Sequence, residues 1–593
     1  MTPDSSCAGD KSAARLPTSV DRPTANARLW FVGGCCLLVA LVCLAFGGAV
    51  THDFVAWDDG PLIKENACVT PFTLHGLTKV WAGPHLGMYL PLVYNLWAVL
   101  AWVGLGANGE ISATPFHVAN IIVHGVNCIL VFALIATVTS RRLLALAAAM
   151  LFAVHPLQVE AVAWATAMKD LLSSMLALGS MLAYVTASRS FSVAPRRNLH
   201  AHVMYSLSML LLLFATFAKP GVVGAPLMLA IIDTVFLKTR WTLVAMRLAP
   251  HCLIALGAAV WTSLSHPVVP DFIILPWALR PSIASHALAH YLQKALWPID
   301  LTIDYALRPD WVIQSPAFIW LAIIPPLIAA ALLMIGRRHR VYLWTYLLFI
   351  AGIFPLLGFV PFIYQFRSTV ADRYLYLSMV AVGLGFAYLV CSARSRLAIA
   401  VLSVVIPSMI VLSARQCAHW KDSFALFARA TELSPRSAVA NGNLGSALLQ
   451  EHKRAKNGLG GSASDAQRNE ISSMLGMANE FTMRSLAAEP KVNVVFNNLV
   501  VIRIEQERYS EALALATFAE RYCRALNARI PPALTAAQIA LAYVHLGDEK
   551  NAVKWLEVHV RANGLDMQTK EVVAKLLKRA AATQPTDAER HDE

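Results

Sequence analysis

Two adjacent acids, Asp58 and Asp59, stand in the segment FVAWDDGPLIKEN, with Lys64, Glu65 and Asn66 close behind. A second segment, HPLQVEAVAWATAMKD, carries His155, Glu160, Trp164, Lys169 and Asp170. Lys219 precedes Pro220, and PFIYQFRSTVADRYLY supplies Arg367, Asp372, Arg373 and Tyr374. Carboxylates beside cations suit transfer of a group from a lipid phosphate. Phosphate already leaves well, so no general acid is needed. One carboxylate takes the proton of an acceptor hydroxyl, and cations neutralise the departing phosphate. A glycosidase would instead use a carboxylate pair in two roles. Asp58, Asp59 and Glu160 also offer hard oxygen ligands of the kind Mg²⁺ or Mn²⁺ takes. Each residue has a plainer use as well. The acid pair suits a helix cap, Lys169 can snorkel, His155-Pro156 can end a span, and Asp372-Arg373 can be a structural ion pair.

The elements that must position these residues are membrane helices. Of 593 residues, 57% are hydrophobic and 14% charged, with a mean hydropathy of +0.55. A soluble domain carries about 25% charged residues. The formal charge of +13 does not point to nucleic acid, because the basic residues sit in short clusters between apolar runs. The ten cysteines are scattered, with no CxxC or metal spacing.

Apolar runs fall near 29–50, 115–139, 143–155, 170–187, 201–218, 220–237, 247–265, 316–335, 341–360, 374–391 and 397–413. We expect an all-α chain with about eleven transmembrane helices. Basic clusters follow alternate runs: Arg141 and Arg142; Arg189, Arg196 and Arg197; Lys238, Arg240 and Arg247; Arg337, Arg338 and Arg340; Arg394 and Arg396. With residues 1–28 as a cytoplasmic tail, all five clusters obey the positive-inside rule. The stretches 88–106 and 284–298 break the alternation and are expected to lie at the outer surface. Loops 51–114, 155–169, 266–315 and 361–373 then face outward within a 29–413 membrane domain, and so does the chain after 414. The second run carries His117, Asn120, His124 and Asn127 on one helix face. Polar groups at that depth are costly, and we expect them to line a cavity, the alternative being plain interhelical hydrogen bonding.

After residue 414 the composition turns soluble and helical. Trp420, Phe424 and Ala428 read as one helix, then Pro435, then Leu444, Gly445 and Leu448 as a second. The pattern recurs through Ala478, Phe481, Leu486 and Pro490, and again in AAQIALAYVHLGDEKNAVKWLE. The spacing predicts a tetratricopeptide-repeat (TPR) solenoid over 414–570, interrupted by the insertion KNGLGGSASDAQ, with a polar tail at 571–593.

The segments FVAWDDGPLIKEN, FHVANIIVHGVN, LFAVHPLQVEAVAWATAMKDLL, AKPGVVGAPLMLAIID and ADRYLYLSM, in this order and ahead of such repeats, resemble the transmembrane-and-TPR O-mannosyltransferases of the secretory pathway and their bacterial relatives. These belong to the GT-C superfamily of polyprenyl-phosphate-sugar-dependent glycosyltransferases. The resemblance implies inverting transfer of a mannose-like hexose from a polyprenyl phosphate carrier to a protein or glycan hydroxyl, without a metal. It implies Asp58 or Asp59 as the base. His155, Glu160, Lys169 and Asp170 match the family's second-loop motif and Asp372 and Arg373 its late one, as substrate-binding residues; we expect Lys219, Arg367 and Arg373 at the donor phosphate, with His117, Asn120 and His124, from their spacing, lining the cavity. The lipid bilayer, the lipid-linked sugar and an acceptor met through the repeats are the expected partners. With no organellar or endoplasmic retention signal recognisable, we expect a bacterial inner membrane with the repeats in the periplasm. Two charges usual in the pattern are missing, at Leu90 and Pro220. The alternatives are an inactive relative or a membrane-anchored TPR scaffold. A transporter would show an inverted repeat, and none is visible.

Overall fold

The computed structural model describes residues 25–85, 87–193, 198–265, 276–336, 339–359, 362–458, 464–489, 493–525, 532–563 and 567–582. Arg196, Arg197, Arg337, Arg338, Pro490, residues 1–24, part of the 266–315 loop and residues 583–593 lie outside them. The described residues are helical, joined by turns and by short 3₁₀ and π segments.

Among the described residues, six helices are long and apolar enough to cross a membrane. They are α1 (Ala25–Phe46), α2 (Thr114–Thr139), α3 (Met168–Val193), α4 (Leu199–Ala218), α5 (Trp241–Ser265) and α6 (Ser395–Ala418). A seventh span exists if Arg142–Val154 and Pro156–Ala163, bent by 56°, count as one. The other expected spans are the shorter apolar helices Pro220–Phe236, Phe318–Met334, Arg340–Leu356 and Met379–Ser392. At 1.5 Å per residue, about 17 residues rise about 26 Å, short of a hydrocarbon core of about 30 Å. The structure thus gives six or seven full-length spans among the described residues, where eleven were expected. The helices shorten because prolines and polar loops interrupt them. Arg142–Val154 stops at His155-Pro156, α4 stops before Lys219-Pro220, and the 3₁₀ turns Phe354–Leu356 and Asp372–Leu375 separate two apolar helices. Irregular backbone at such depth is tolerated where protein buries it, and Asp372, Arg373, Tyr374 and Leu375 are all buried.

Small residues let these short helices approach closely. A Cβ at Gly383 would come within 2.6 Å of the Ala148 carbonyl on Arg142–Val154. Pro91–Val103 is only 13 residues long. With Leu62, Ile63 and Phe116 it builds a separate apolar cluster over the start of α3, and Leu90 belongs to it. The main core is continuous from Leu38 on α1 through Val154 and Leu375 to Phe427, Leu444 and Ile502. The membrane bundle and the start of the C-terminal region therefore share one hydrophobic core.

The C-terminal region opens with α7 (Ser423–Leu433) and Ala438–Gly458, followed by Asp465–Ala488, Asn493–Glu505, Tyr509–Ala525, Pro532–Leu546, Glu549–Asn563 and Met567–Ala582. Each packs on the next. Two expectations change here. Trp420 lies before α7 rather than on it, and the aromatic α7 buries is Phe427, while Phe424 is 47% exposed. Residues 571–582 are helix rather than tail. Ala438–Gly458 crosses Asp465–Ala488 so closely that a side chain at Gly445 would run into Thr482.

Candidate active site

The loop leaving α1 brings the acid pair to one end of the bundle and divides its labour. Asp59 is buried: its Oδ2 accepts the Val55 N–H (2.9 Å) and its Oδ1 the Thr166 N–H (3.2 Å). Burial pushes its carboxyl up to about 6 against the pull of those N–H groups. It staples the loop to the turn before α3. Asp58 keeps 36% of its side chain exposed, and its Oδ2 accepts from Lys169 Nζ at 3.1 Å. Burial pushes the Asp58 carboxyl up, but the charge and hydrogen bond of Lys169, with Arg373 and Arg367, outweigh it and hold the group below its ordinary value.

Two further ion pairs lie beside this one. Asp170 pairs with Lys219, and Glu160 pairs with the Arg373 guanidinium while its other oxygen accepts the Arg373 backbone N–H (3.0 Å). Aromatic faces wrap the cations. Arg373 lies 5.5, 4.4 and 4.9 Å from the ring centroids of Trp164, Tyr364 and Tyr374, while Lys169 is 4.8 Å from Trp164 and Lys219 5.5 Å from Tyr374. Asp372 accepts from Tyr305 Oη at 2.8 Å. Burial and then the charge of Glu160 hold its carboxyl well above the usual range. Arg367 is exposed, 5.6 Å from the Trp57 centroid, and among the described residues it meets no carboxylate at salt-bridge distance. Four segments far apart in sequence thus place Asp58, Glu160, Lys169, Asp170, Lys219, Arg367, Asp372 and Arg373 in one cluster.

No family model matches this chain. It is similar to a protein O-mannosyl-transferase of Caenorhabditis elegans. The two are 23% identical over 381 residues, covering 61% of this chain and 50% of that protein. The chain therefore spans about half the length of the curated relative it matches.

Several expected site residues sit elsewhere. His155 binds backbone with both ring nitrogens, Nε2 to the Ala295 carbonyl (3.1 Å) and Nδ1 to the Leu157 N–H (3.3 Å). It fixes the 56° corner and has no nitrogen left for phosphate. Three of the four residues of the α2 polar stripe are bound within the protein. Asn120 donates to the carbonyls of Val162 (3.2 Å) and Trp164 (2.8 Å). His124 binds Tyr376 Oη (2.7 Å) and the Ala153 carbonyl (3.1 Å), and Asn127 donates to Tyr376 Oη (2.9 Å). His117 is fully buried against His52. Asn120, His124 and Asn127 satisfy backbone carbonyls near helix breaks, which accounts for those three without a ligand, whereas both ring nitrogens of His117 are buried without a hydrogen-bond partner among the described residues. Lys64 and Glu65 are exposed, and Asn66 is buried closing the turn before Cys68. Leu90 is buried among apolar neighbours, so no cation comes from that position.

Asp58, Asp59 and Glu160 do not converge as an oxygen cage. Their oxygens are turned to Lys169, to backbone N–H groups and to Arg373, and the described residues contain no group of three His, Cys, Asp or Glu arranged for a metal. Sequence reasoning missed Tyr305, Tyr364 and Trp57 as site walls. Tyr305 lies outside every motif segment, Tyr364 stands in PFIYQFRSTVADRYLY beside the charged residues that drew the reading, and Trp57 is an aromatic at a membrane surface, which needs no ligand to explain it.

Proposed function

We propose that this chain is a GT-C-type membrane glycosyltransferase that moves a mannose-like hexose from a polyprenyl phosphate carrier to a protein or glycan hydroxyl outside the cytoplasm, with inversion. The observation that carries this reading is Asp58, a partly exposed carboxylate held ionised among buried cations. The similarity to an O-mannosyl-transferase supports the same class. In this scheme Asp58 takes the acceptor proton as the hydroxyl oxygen bonds to the anomeric carbon. The bond from that carbon to the phosphate oxygen breaks, its electron pair leaves on the phosphate, and Lys169, Lys219, Arg367 and Arg373 meet the charge. Asp59 is the staple and not the base. The C-terminal helices, read as TPRs on the periplasmic side of a bacterial inner membrane, receive the acceptor. The test is transfer from polyprenyl phosphate mannose to a Ser/Thr-rich peptide by purified protein. Asp58→Asn is expected to abolish it, and undiminished transfer by that variant refutes the assignment.

A second reading is a scaffold or inactive relative. It is favoured by the closed Asp170–Lys219 and Glu160–Arg373 pairs, which already spend the buried cations. It predicts no transfer by the unaltered chain, and full biological function with Asp58→Asn.

A further inference from the structure

We propose that α7 is part of the catalytic floor, with Ser423 and Phe427 as positioning residues that fix the loop carrying Asp58. This deepens the reading of Asp58 as base and rests on it. Loop 52–59 has little structure of its own, so its N–H groups need partners from elsewhere. Two come from the C-terminal region, some 370 residues away. The Asp53 N–H donates to the Lys421 carbonyl at 2.9 Å, and the Ala56 N–H donates to Ser423 Oγ at 2.8 Å. The Val55 N–H goes to Asp59 itself. Next to Asp58, the Trp57 ring stacks on Phe427 with centroids 6.0 Å apart and planes 27° apart. Phe427 is fully buried, so the platform cannot shift freely.

The start of α7 is itself pinned. Asp422 Oδ1 accepts the Ala425 N–H (2.8 Å), a side-chain cap that sets where Ser423 stands. Trp420, just before it, packs on Trp164 at 6.0 Å, and Trp164 is the ring beneath Lys169 and Arg373. The same hairpin is tied down again by Ser437 Oγ on Asp304 Oδ2 (2.5 Å), beside the Tyr305–Asp372 pair. Both the base and its counter-cations therefore rest on residues beyond the last membrane span. A region that only recruited acceptor would have no reason to supply the partners of loop amides at 53 and 56.

The experiment uses the full-length protein in nanodiscs. Hydrogen exchange over residues 53–59 is expected to quicken about tenfold or more in both variants: Ser423→Ala removes the acceptor of the Ala56 N–H, and Phe427→Ala removes the ring that holds Trp57 and with it the loop. Phe424→Ala, on the exposed side of the same helix, should leave it unchanged. With polyprenyl phosphate mannose and a Ser/Thr-rich peptide, Phe427→Ala is expected to lower kcat about tenfold or more with KM within about twofold, since misplacement by about 1 Å can cost about a hundredfold. Phe427→Tyr and Ser423→Thr should restore most of it. If Phe427→Ala does not fold, Ser423→Ala carries the test alone. Unchanged exchange overturns the proposal, and so does a change in acceptor KM without one in kcat. If exchange quickens as expected but the unaltered protein transfers no sugar, the coupling stands and the glycosyltransferase reading falls.

Discussion

Lys169 and Asp58, 111 positions apart in the chain, meet at 3.1 Å, with the lysine almost wholly buried and the aspartate partly open. The pair gives Asp58 its depressed pKa against the burial that would raise it. Removing the lysine leaves burial as the larger influence. In Lys169→Met the acid limb of the pH–rate profile is therefore expected to move to higher pH, with the maximal rate down about tenfold to a hundredfold. A profile that keeps its acid limb would show that Asp58 is not the group titrating.

Asp59 behaves in the opposite sense. Its folded pKa, about 6, stands above the ordinary 3.8. The folded state therefore holds a proton more tightly than the unfolded chain, and stability is greatest below about pH 4. It falls as pH rises through the interval from about 4 to about 6, by about 3 kcal/mol at most. Asp59→Asn should flatten that part of the stability–pH curve. It should also lower Tm at pH 4, because the amide nitrogen then faces a backbone N–H and cannot accept from it, as the hydroxyl oxygen of the protonated acid can. Thermal unfolding from pH 4 to 7 checks both, and an unchanged slope would count against the burial argument.

Glu160 and Arg373 are 3% and 6% exposed. Truncating one partner of such a pair strands a buried charge, at about 3–5 kcal/mol. Glu160→Ala should thus fail to accumulate as folded protein. Glu160→Gln with Arg373→Met should recover stability but not sugar transfer. Recovery of both would make the pair purely structural.

The bundle was readable because apolar runs and basic clusters recur along the chain, and the acid pair, Lys169 and Arg373 were readable because their segments form an ordered set. What sequence could not separate was a polar side chain facing ligand from one facing backbone. His155 and Asn120 have the types and spacing of site residues, yet each satisfies carbonyls or N–H groups exposed where helices break. Span length was overread for a related reason. Hydropathy marks Arg340–Leu356 and Met379–Ser392 as apolar, but their chain turns off into the site before reaching full length. Phe427 was hidden because repeat spacing favours Phe424, whereas packing against Trp57 selects its neighbour three residues on.

Arg367 is the cation that can be removed without stranding a charge. It is exposed, it lies over Trp57, and its guanidinium meets no carboxylate among the described residues. Arg367→Ala should cost no more than about 0.5 kcal/mol of stability. If this side chain reaches the donor phosphate, the same change should raise donor KM several-fold, more at low ionic strength than at high, because an exposed charge is screened by salt. Arg367→Lys should fall between, keeping the charge but losing the two-pronged geometry of the guanidinium. Donor KM measured at two salt concentrations decides the matter. A KM unmoved at both would leave Lys169, Lys219 and Arg373 as the phosphate's partners and would require each to loosen from its carboxylate when the donor binds.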